Sequence, residues 1–325
     1  MATESRPNPA DSQTVSRPPS ALEHLWDRCF QALTHVAAWA ILVLLAYILW
    51  KIGAKAAPAI GSYRLGFLTD SIWDAQAGRF GLLPEIWGTL YSSLLALIIA
   101  GFFGLTVAIF LTQDFLPPRL AMVFRTVIEM LAAIPSVVFG LWGIFVVIPE
   151  IRPLAEWLHL HAGWMPIFGT SFNGPGMLPA TIVLAIMVLP TITAISQDAL
   201  QAIPYRTKEA AYGLGATRWE AILKVLLPTA AGGIFSALVL GFGRALGETM
   251  ALAMLIGNSN QISLSLFSPG DTLASLLASH FPEAGPVEVG ALMYAALVLL
   301  FITLMVNVLG NALLALTQRR ISGVS

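Results

Sequence analysis

The sequence predicts an all-α polytopic membrane protein with six transmembrane helices. Charged residues make up 11% of the 325 positions and apolar residues 57%, whereas an ordinary soluble domain carries about 25% charged residues. Six apolar runs, near residues 36–52, 86–111, 120–148, 178–198, 229–257 and 290–316, each cover or nearly cover a hydrocarbon core of about 30 Å at ~1.5 Å per residue. A net charge of −1 supplies no global field for nucleic acid, and the lone Cys29 allows neither an intrachain disulfide nor a thiolate metal cluster.

Residues 1–25, "MATESRPNPADSQTVSRPPSALEHL", are polar and rich in Pro and Ser, too poor in apolar surface to fold alone. They read as a disordered cytoplasmic tail ahead of a membrane domain over residues 26–325. The first run is the shortest, and "AKA" at 54–56 follows it; cleavage there is conceivable, although so long a polar leader suits a signal peptide poorly. In the third run Pro135 removes a backbone donor, so a kink is expected, and Pro190 should bend the fourth. Arg125 and Glu129, spaced i, i+4 at the entry of the third run, read mainly as a shallow interfacial pair, with a gate as the alternative.

Between the fourth and fifth runs lies a loop over residues 199–228, which contains "QAIPYRTKEAAYGLGATRWEAILKVLLP". Pro204 suits a helix start and "KEAAYGL" a short helix; Gly213 and Gly215 break it, and "RWEAILKVLL" begins a second piece before Pro228 opens the fifth run. Two short helices about a glycine turn form a knuckle. It could dock into a groove on a partner or lie as an amphipathic connector on the lipid surface. With the N-terminus inside, cytoplasmic segments hold 11 Lys and Arg residues and external segments 5, which places both termini in the cytoplasm.

The fifth run contains "GFGRALGETM", residues 241–250. Started near Thr229, it places Arg244 roughly 22 Å along the helix axis. A charge at that depth costs about 2.5–3.5 kcal/mol even on lenient insertion scales. Arg244 and Glu248, at i, i+4, would share a helix face. They are either a structural ion bridge inside a bundle, or a path site in which Arg244 offers its planar fork to oxyanion oxygens while Glu248 holds it between events. Gly243 and Gly247, with Gly241 nearby, would let a second helix approach closely, as from a sister subunit.

Glu209, Ala210, Ala211, then Gly215, then Val225, Leu226, Leu227 and Pro228 resemble the EAA loop of ABC importer permeases, with Val225 where Ile is usual. "FGLLPEIWGTLYSSLLAL", "EMLAAIPSVVFGLWG" and "GRALGETMALAMLIGNSNQISLSLFSPGDTLAS" resemble the phosphate-specific branch of that family, and the similarity runs from about residue 36 to the end. The resemblance implies the type I ABC importer permease fold in a bacterial inner membrane. It makes Glu209, Ala210, Ala211, Gly213, Leu214 and Gly215 an ATPase-docking coupling loop, and favours Arg244 and Glu248 as the substrate path. It further implies a homologous permease, a dimer of ATP-binding subunits that carry the ATP and Mg, and an external phosphate-binding protein.

No phosphate-cradling G-x-x-x-x-G-K-[ST] loop, serine nucleophile elbow or H-E-x-x-H zinc motif occurs, so no catalytic role or cofactor is expected of this chain. His159 and His161, in "EWLHLHAGW", read as residues of a solvated external loop. A secondary anion transporter or channel would account for the buried charges without the knuckle, and sulfate would suit one Arg as well as phosphate does.

Overall fold

The computed structural model describes residues 20–322, which fall into two units divided after residue 51. The first is the leading part of helix α1 (Ala21–Tyr63). Trp26, Phe30, Trp39, Leu42 and Ile48 there are all exposed, as on a helix solvated by lipid or by another subunit. The tail expected over 1–25 lies outside the described residues up to residue 19, and from Ala21 onward the chain is helical. The "AKA" stretch is likewise inside α1.

The second unit begins within α1, where Ala56 and Ala59 are buried. A short turn α2 (Gly66–Thr69) and a two-stranded antiparallel ribbon follow, with Trp73 opposite Phe80 and Asp74 opposite Arg79. Helix α3 (Leu83–Thr112) starts with Pro84 in its first turn, where the missing amide costs nothing. It buries a small residue every fourth position: Gly88, Ser92, Ala96, Ala100, Gly104 and Ala108. That stripe lets backbones approach closely, the usual route to helix association in lipid, where no hydrophobic force acts between helices.

Helix α4 (Pro118–Ala133) buries no residue. It stops at Ile134, whose φ of −70° and ψ of 128° are extended, the conformation imposed on a residue that precedes proline. Pro135 therefore ends the helix instead of kinking it, and α5 (Ser136–Trp142) starts afresh. A π-turn over Gly143–Val147 leads into α6 (Ile148–Ala162), with Pro153 inside it. The third helix long and apolar enough to span is consequently Ser136–Ala162 and not residues 120–148.

Helix α7 (Met177–Gln201) is the most buried of the long helices, and Pro190 lies inside it without ending it. The knuckle comprises α8 (Tyr205–Gly213) and α9 (Arg218–Ala221). A π-turn over Ile222–Leu226 joins α9 to α10 (Leu227–Leu246), so Pro228 lies within one continuous rod. The Leu227 amide reaches back to the Ile222 carbonyl, and this register shift admits a residue that has no amide of its own. After α11 (Met250–Leu255), α12 (Leu273–His280) and α13 (Pro286–Ser322) complete the chain.

Six helices among the described residues are long and apolar enough to cross a membrane: Leu22–Tyr63, Leu83–Thr112, Ser136–Ala162, Met177–Gln201, Arg218–Leu246 and Pro286–Ala315. Within the second unit α7 is central, clasped by α3 and α10, and α13 packs on α10. Gly104 and Gly241 both seat against Ile192, and Gly233 against Ala199. One end of this bundle carries the knuckle; the other, here the cap end, gathers Phe67, Phe80, Leu82, Leu273, Leu276 and Ala291 into a second core.

Candidate functional site

The fifth span is broken where the sequence suggests one continuous helix. Helix α10 ends at Leu246, Gly247 caps it, and α11 begins at Met250. Arg244 thus occupies the last turn of α10, beside carbonyls that have no helical partner. Its side chain leans back along the helix, and Nη1 donates to Thr191 Oγ1 at 3.0 Å. Thr191 lies 14 residues after Met177 and 10 before Gln201, roughly 21 Å and roughly 15 Å from the ends of α7. The guanidinium is therefore near mid-span, yet exposed on the chain's own surface. Thr191 takes one of its five donors.

Glu248 lies past the break, partly buried, and its Oε1 accepts from the Ala251 amide at 3.5 Å. The ion pairs among the described residues are Arg152 with Glu156, Lys208 with Asp114, Lys224 with Glu220, and His280 with Glu288. Arg244 and Glu248 are not among them. The helical geometry that would bring i and i+4 together ends between the two. The arrangement is that of a discontinuous membrane helix, with irregular backbone and an ionisable side chain on either side of the break.

Gly243 does admit a close neighbour, but from the same chain: a Cβ there would stand 3.4 Å from Asn307 Nδ2 of α13. Gly247 meets only carbonyls of its own helix, and its role is to cap α10. Gly241 is the tighter contact, 2.7 Å from Ile192.

In the knuckle, Gly213 is the last residue of α8, and the reversal is made by Gly215 at φ +83°. The Gly215 amide bonds the Tyr212 carbonyl at 2.9 Å and the Ala216 amide the Ala211 carbonyl at 3.1 Å. This pair of bonds is a Schellman turn, which needs a left-handed residue there. Thr217 then caps α9 in a reciprocal box with Glu220. Ala211 is buried, Glu209 and Ala210 are exposed, and Leu214 at the tip is 91% exposed. The base is fastened to the chain after α3. Lys208 pairs with Asp114 at 2.9 Å, and Arg218 donates to the Gln113 carbonyl while lying 4.1 Å above the Phe115 ring. A rigid stalk thus presents a bare leucine.

Arg125 and Glu129 are both exposed on α4 and form no ion pair among the described residues. His159 and His161 belong to α6 and not to a loop; His159 Nδ1 lies 2.9 Å from the Phe168 carbonyl and His161 Nδ1 2.9 Å from that of Trp157.

Sequence reasoning overlooked a buried acidic pair at the cap end. Glu85, in the first turn of α3, is 0% exposed, and Asp271, just before α12, is 4% exposed. The Thr272 amide donates to Asp271 Oδ1 at 2.7 Å and Ser275 Oγ donates to the same oxygen. Burial nevertheless holds Asp271 above the usual carboxylate range, against these bonds and the pull of His280. The legible signal was that Glu85 is the one charged residue of residues 80–113.

A six-span helical chain with a broken, charged fifth span and a protruding two-helix knuckle defines a membrane permease component. The chain belongs to the family "Binding-protein-dependent transport system inner membrane component", whose model matches residues 104–323. Relatives named "Phosphate transport system permease protein PstC" include that of Mesorhizobium japonicum, 37% identical over 89% of this chain and 90% of its own. The Pasteurella multocida protein is 38% identical over 91% and 94%, and that of Haemophilus influenzae 39% over 89% and 93%. Among solved structures, a bacterial alginate ABC transporter with its periplasmic protein matches with a TM-score of 0.59 at 15% identity, covering 91% of this chain and 96% of its own. The inward-facing MetNI methionine ABC transporter matches with a TM-score of 0.53 at 19% identity, covering 73% and 95%. These structural likenesses concern the fold alone.

Proposed function

We propose that this chain is the phosphate permease of an ATP-driven importer, in which Arg244 meets the anion at the break in the fifth span. The observation that carries the reading is a guanidinium near mid-span, exposed on the chain's own surface and held by one hydroxyl. A second, homologous permease of the PstA kind would face it and close the path. Arg is suited to this contact because its planar fork engages two oxygens of a tetrahedral anion. A single fork also binds weakly enough to release the anion onward. The phosphate names of relatives that align over about nine-tenths of the chain support the choice of anion.

The Leu214 tip and the exposed Glu209 and Ala210 would dock into an ATP-binding dimer of the PstB kind, which holds ATP and Mg on its own chains. The rod from Arg218 to Leu246 joins that knuckle directly to Arg244, so closure of the ATPases would be felt at the break. The knuckle would face the cytoplasm with both termini, and the cap end would receive phosphate from an external binding protein of the PstS kind. Glu248, apart from Arg244 in this structure, would approach it only if the break refolds during transport.

The test is uptake of labelled phosphate by the assembled transporter carrying Arg244→Gln. Loss of a charged hydrogen bond of about 1.5–3 kcal/mol corresponds to a fall of at least roughly tenfold. Undiminished uptake with normal assembly refutes the path role. Competing sulfate should leave wild-type uptake unchanged; equal competition would reassign the anion.

A further inference from the structure

Glu85 presents an unresolved charge problem. It is 0% exposed, and neither carboxylate oxygen has a hydrogen-bond partner. The free amides of the first helical turn offset part of a negative charge there. They do not satisfy two oxygens, and an ionised carboxylate without a partner is among the costliest groups to bury.

Asp271 lies against the same turns. A Cβ on Gly88 would collide with the Asp271 carbonyl, so the loop backbone rests directly on α3. The Leu273 amide donates to Thr89 Oγ1 at 2.9 Å, and that hydroxyl donates to the Glu85 carbonyl at 2.6 Å. The loop that carries Asp271 is thus bonded to the turn that carries Glu85, and both acidic side chains are buried there.

Neither acid belongs to any ion pair among the described residues. Residues 80–118, 153–205 and 245–318 contain neither Lys nor Arg, and these stretches supply α3, α7, α11, α12, the cap loops and the spanning part of α13. From α12, His280 is engaged with Glu288 of α13 at 3.1 Å. From the ribbon and α2 side come Asp70, Asp74, Arg64 and Arg79, and of these Asp74, Arg64 and Arg79 are exposed. A partner's side chain has no access to a residue buried so fully within this one chain.

We propose that Glu85 and Asp271 form a buried site for one small monovalent cation, either a proton or an alkali-metal ion. Such an ion supplies the missing positive charge and ties the first turn of α3 to the loop that follows α11. That loop is itself bonded back to the end of α11, from the Gly270 amide to the Ile256 carbonyl at 2.9 Å. An occupied site therefore braces the segment immediately beyond the break that carries Arg244 and Glu248.

The test is thermal unfolding of the full chain in detergent, followed by tryptophan fluorescence. Trp87, whose Nε1 donates to the Ser263 carbonyl of the same loop at 3.0 Å, is one of the nine tryptophans that contribute to the signal. A site that holds a proton loses it as pH rises, so the wild-type midpoint should fall by a few degrees from mildly acidic to mildly alkaline buffer. A site that holds an alkali ion should instead gain stability when NaCl replaces choline chloride at fixed ionic strength. In either case Glu85→Gln should remove at least half of the response. The proposal is overturned if neither variable moves the wild-type midpoint, or if Glu85→Gln keeps the full response. Should Glu85→Gln fail to accumulate, Asp271→Asn takes its place, and a full response in that variant is equally fatal.

Discussion

Arg244 illustrates how one residue reads differently in sequence and in space. Its identity, depth and unusual cost were all legible, because a charge in an apolar run is conspicuous. Its partner was not. The spacing to Glu248 points to an i, i+4 bridge, yet the side chain turns to Thr191, 53 positions away on α7. Nothing local announces a contact between two spans. If Thr191 positions the guanidinium, Thr191→Val should lower the rate of phosphate uptake roughly three- to tenfold with assembly unchanged. Thr191→Ser, which keeps the hydroxyl, should restore most of it. Equal rates for wild type and Thr191→Val would mean that the bond does not position the fork. Glu85 escaped notice for a related reason. A carboxylate in a first helical turn looks like ordinary capping chemistry, and only its complete burial sets it apart.

At the scale of elements, six spans and the knuckle followed from apolar length and turn chemistry, and the structure contains both. The break at Gly247–Thr249 did not follow, because Ala, Leu, Glu and Met around it all favour helix. It is imposed by packing: Met254 and Leu255 of α11 seat on Gly140 and Gly143, which displaces α11 from the path of α10. The end of α4 was half legible: Pro135 predicts a disturbance in the third run, and the extended conformation it imposes on Ile134 turns that disturbance into a full stop. Within the knuckle the two glycines are not equivalent. Gly215 has φ +83°, whereas Gly213 is helical with open space around it. Gly215→Ala should cost about 1–2 kcal/mol and speed amide exchange over residues 214–217 roughly 5- to 30-fold. Gly213→Ala should leave it the same or slower, and an identical effect of the two substitutions would contradict the Schellman geometry.

For the molecule as a whole, the small-residue stripe of α3 and the glycines of α10 make α7 the axis of the second unit. The positive residues counted from sequence support the proposal that the knuckle of that unit faces the cytoplasm. With Cys29 replaced by Ser, a membrane-impermeant thiol reagent applied to intact cells should label Ala77→Cys at the cap end. Leu214→Cys should react only after permeabilisation. The opposite pattern would invert the topology. The bare tip at Leu214 has one more consequence. A copy synthesised without its companions would hold out a greasy knob with nothing to grip, an advertisement of orphanhood to cellular proteases. If the tip docks as proposed, the lifetime of each newly made copy would be tied to the supply of its companions, and the part that drives the machine would also set its stoichiometry.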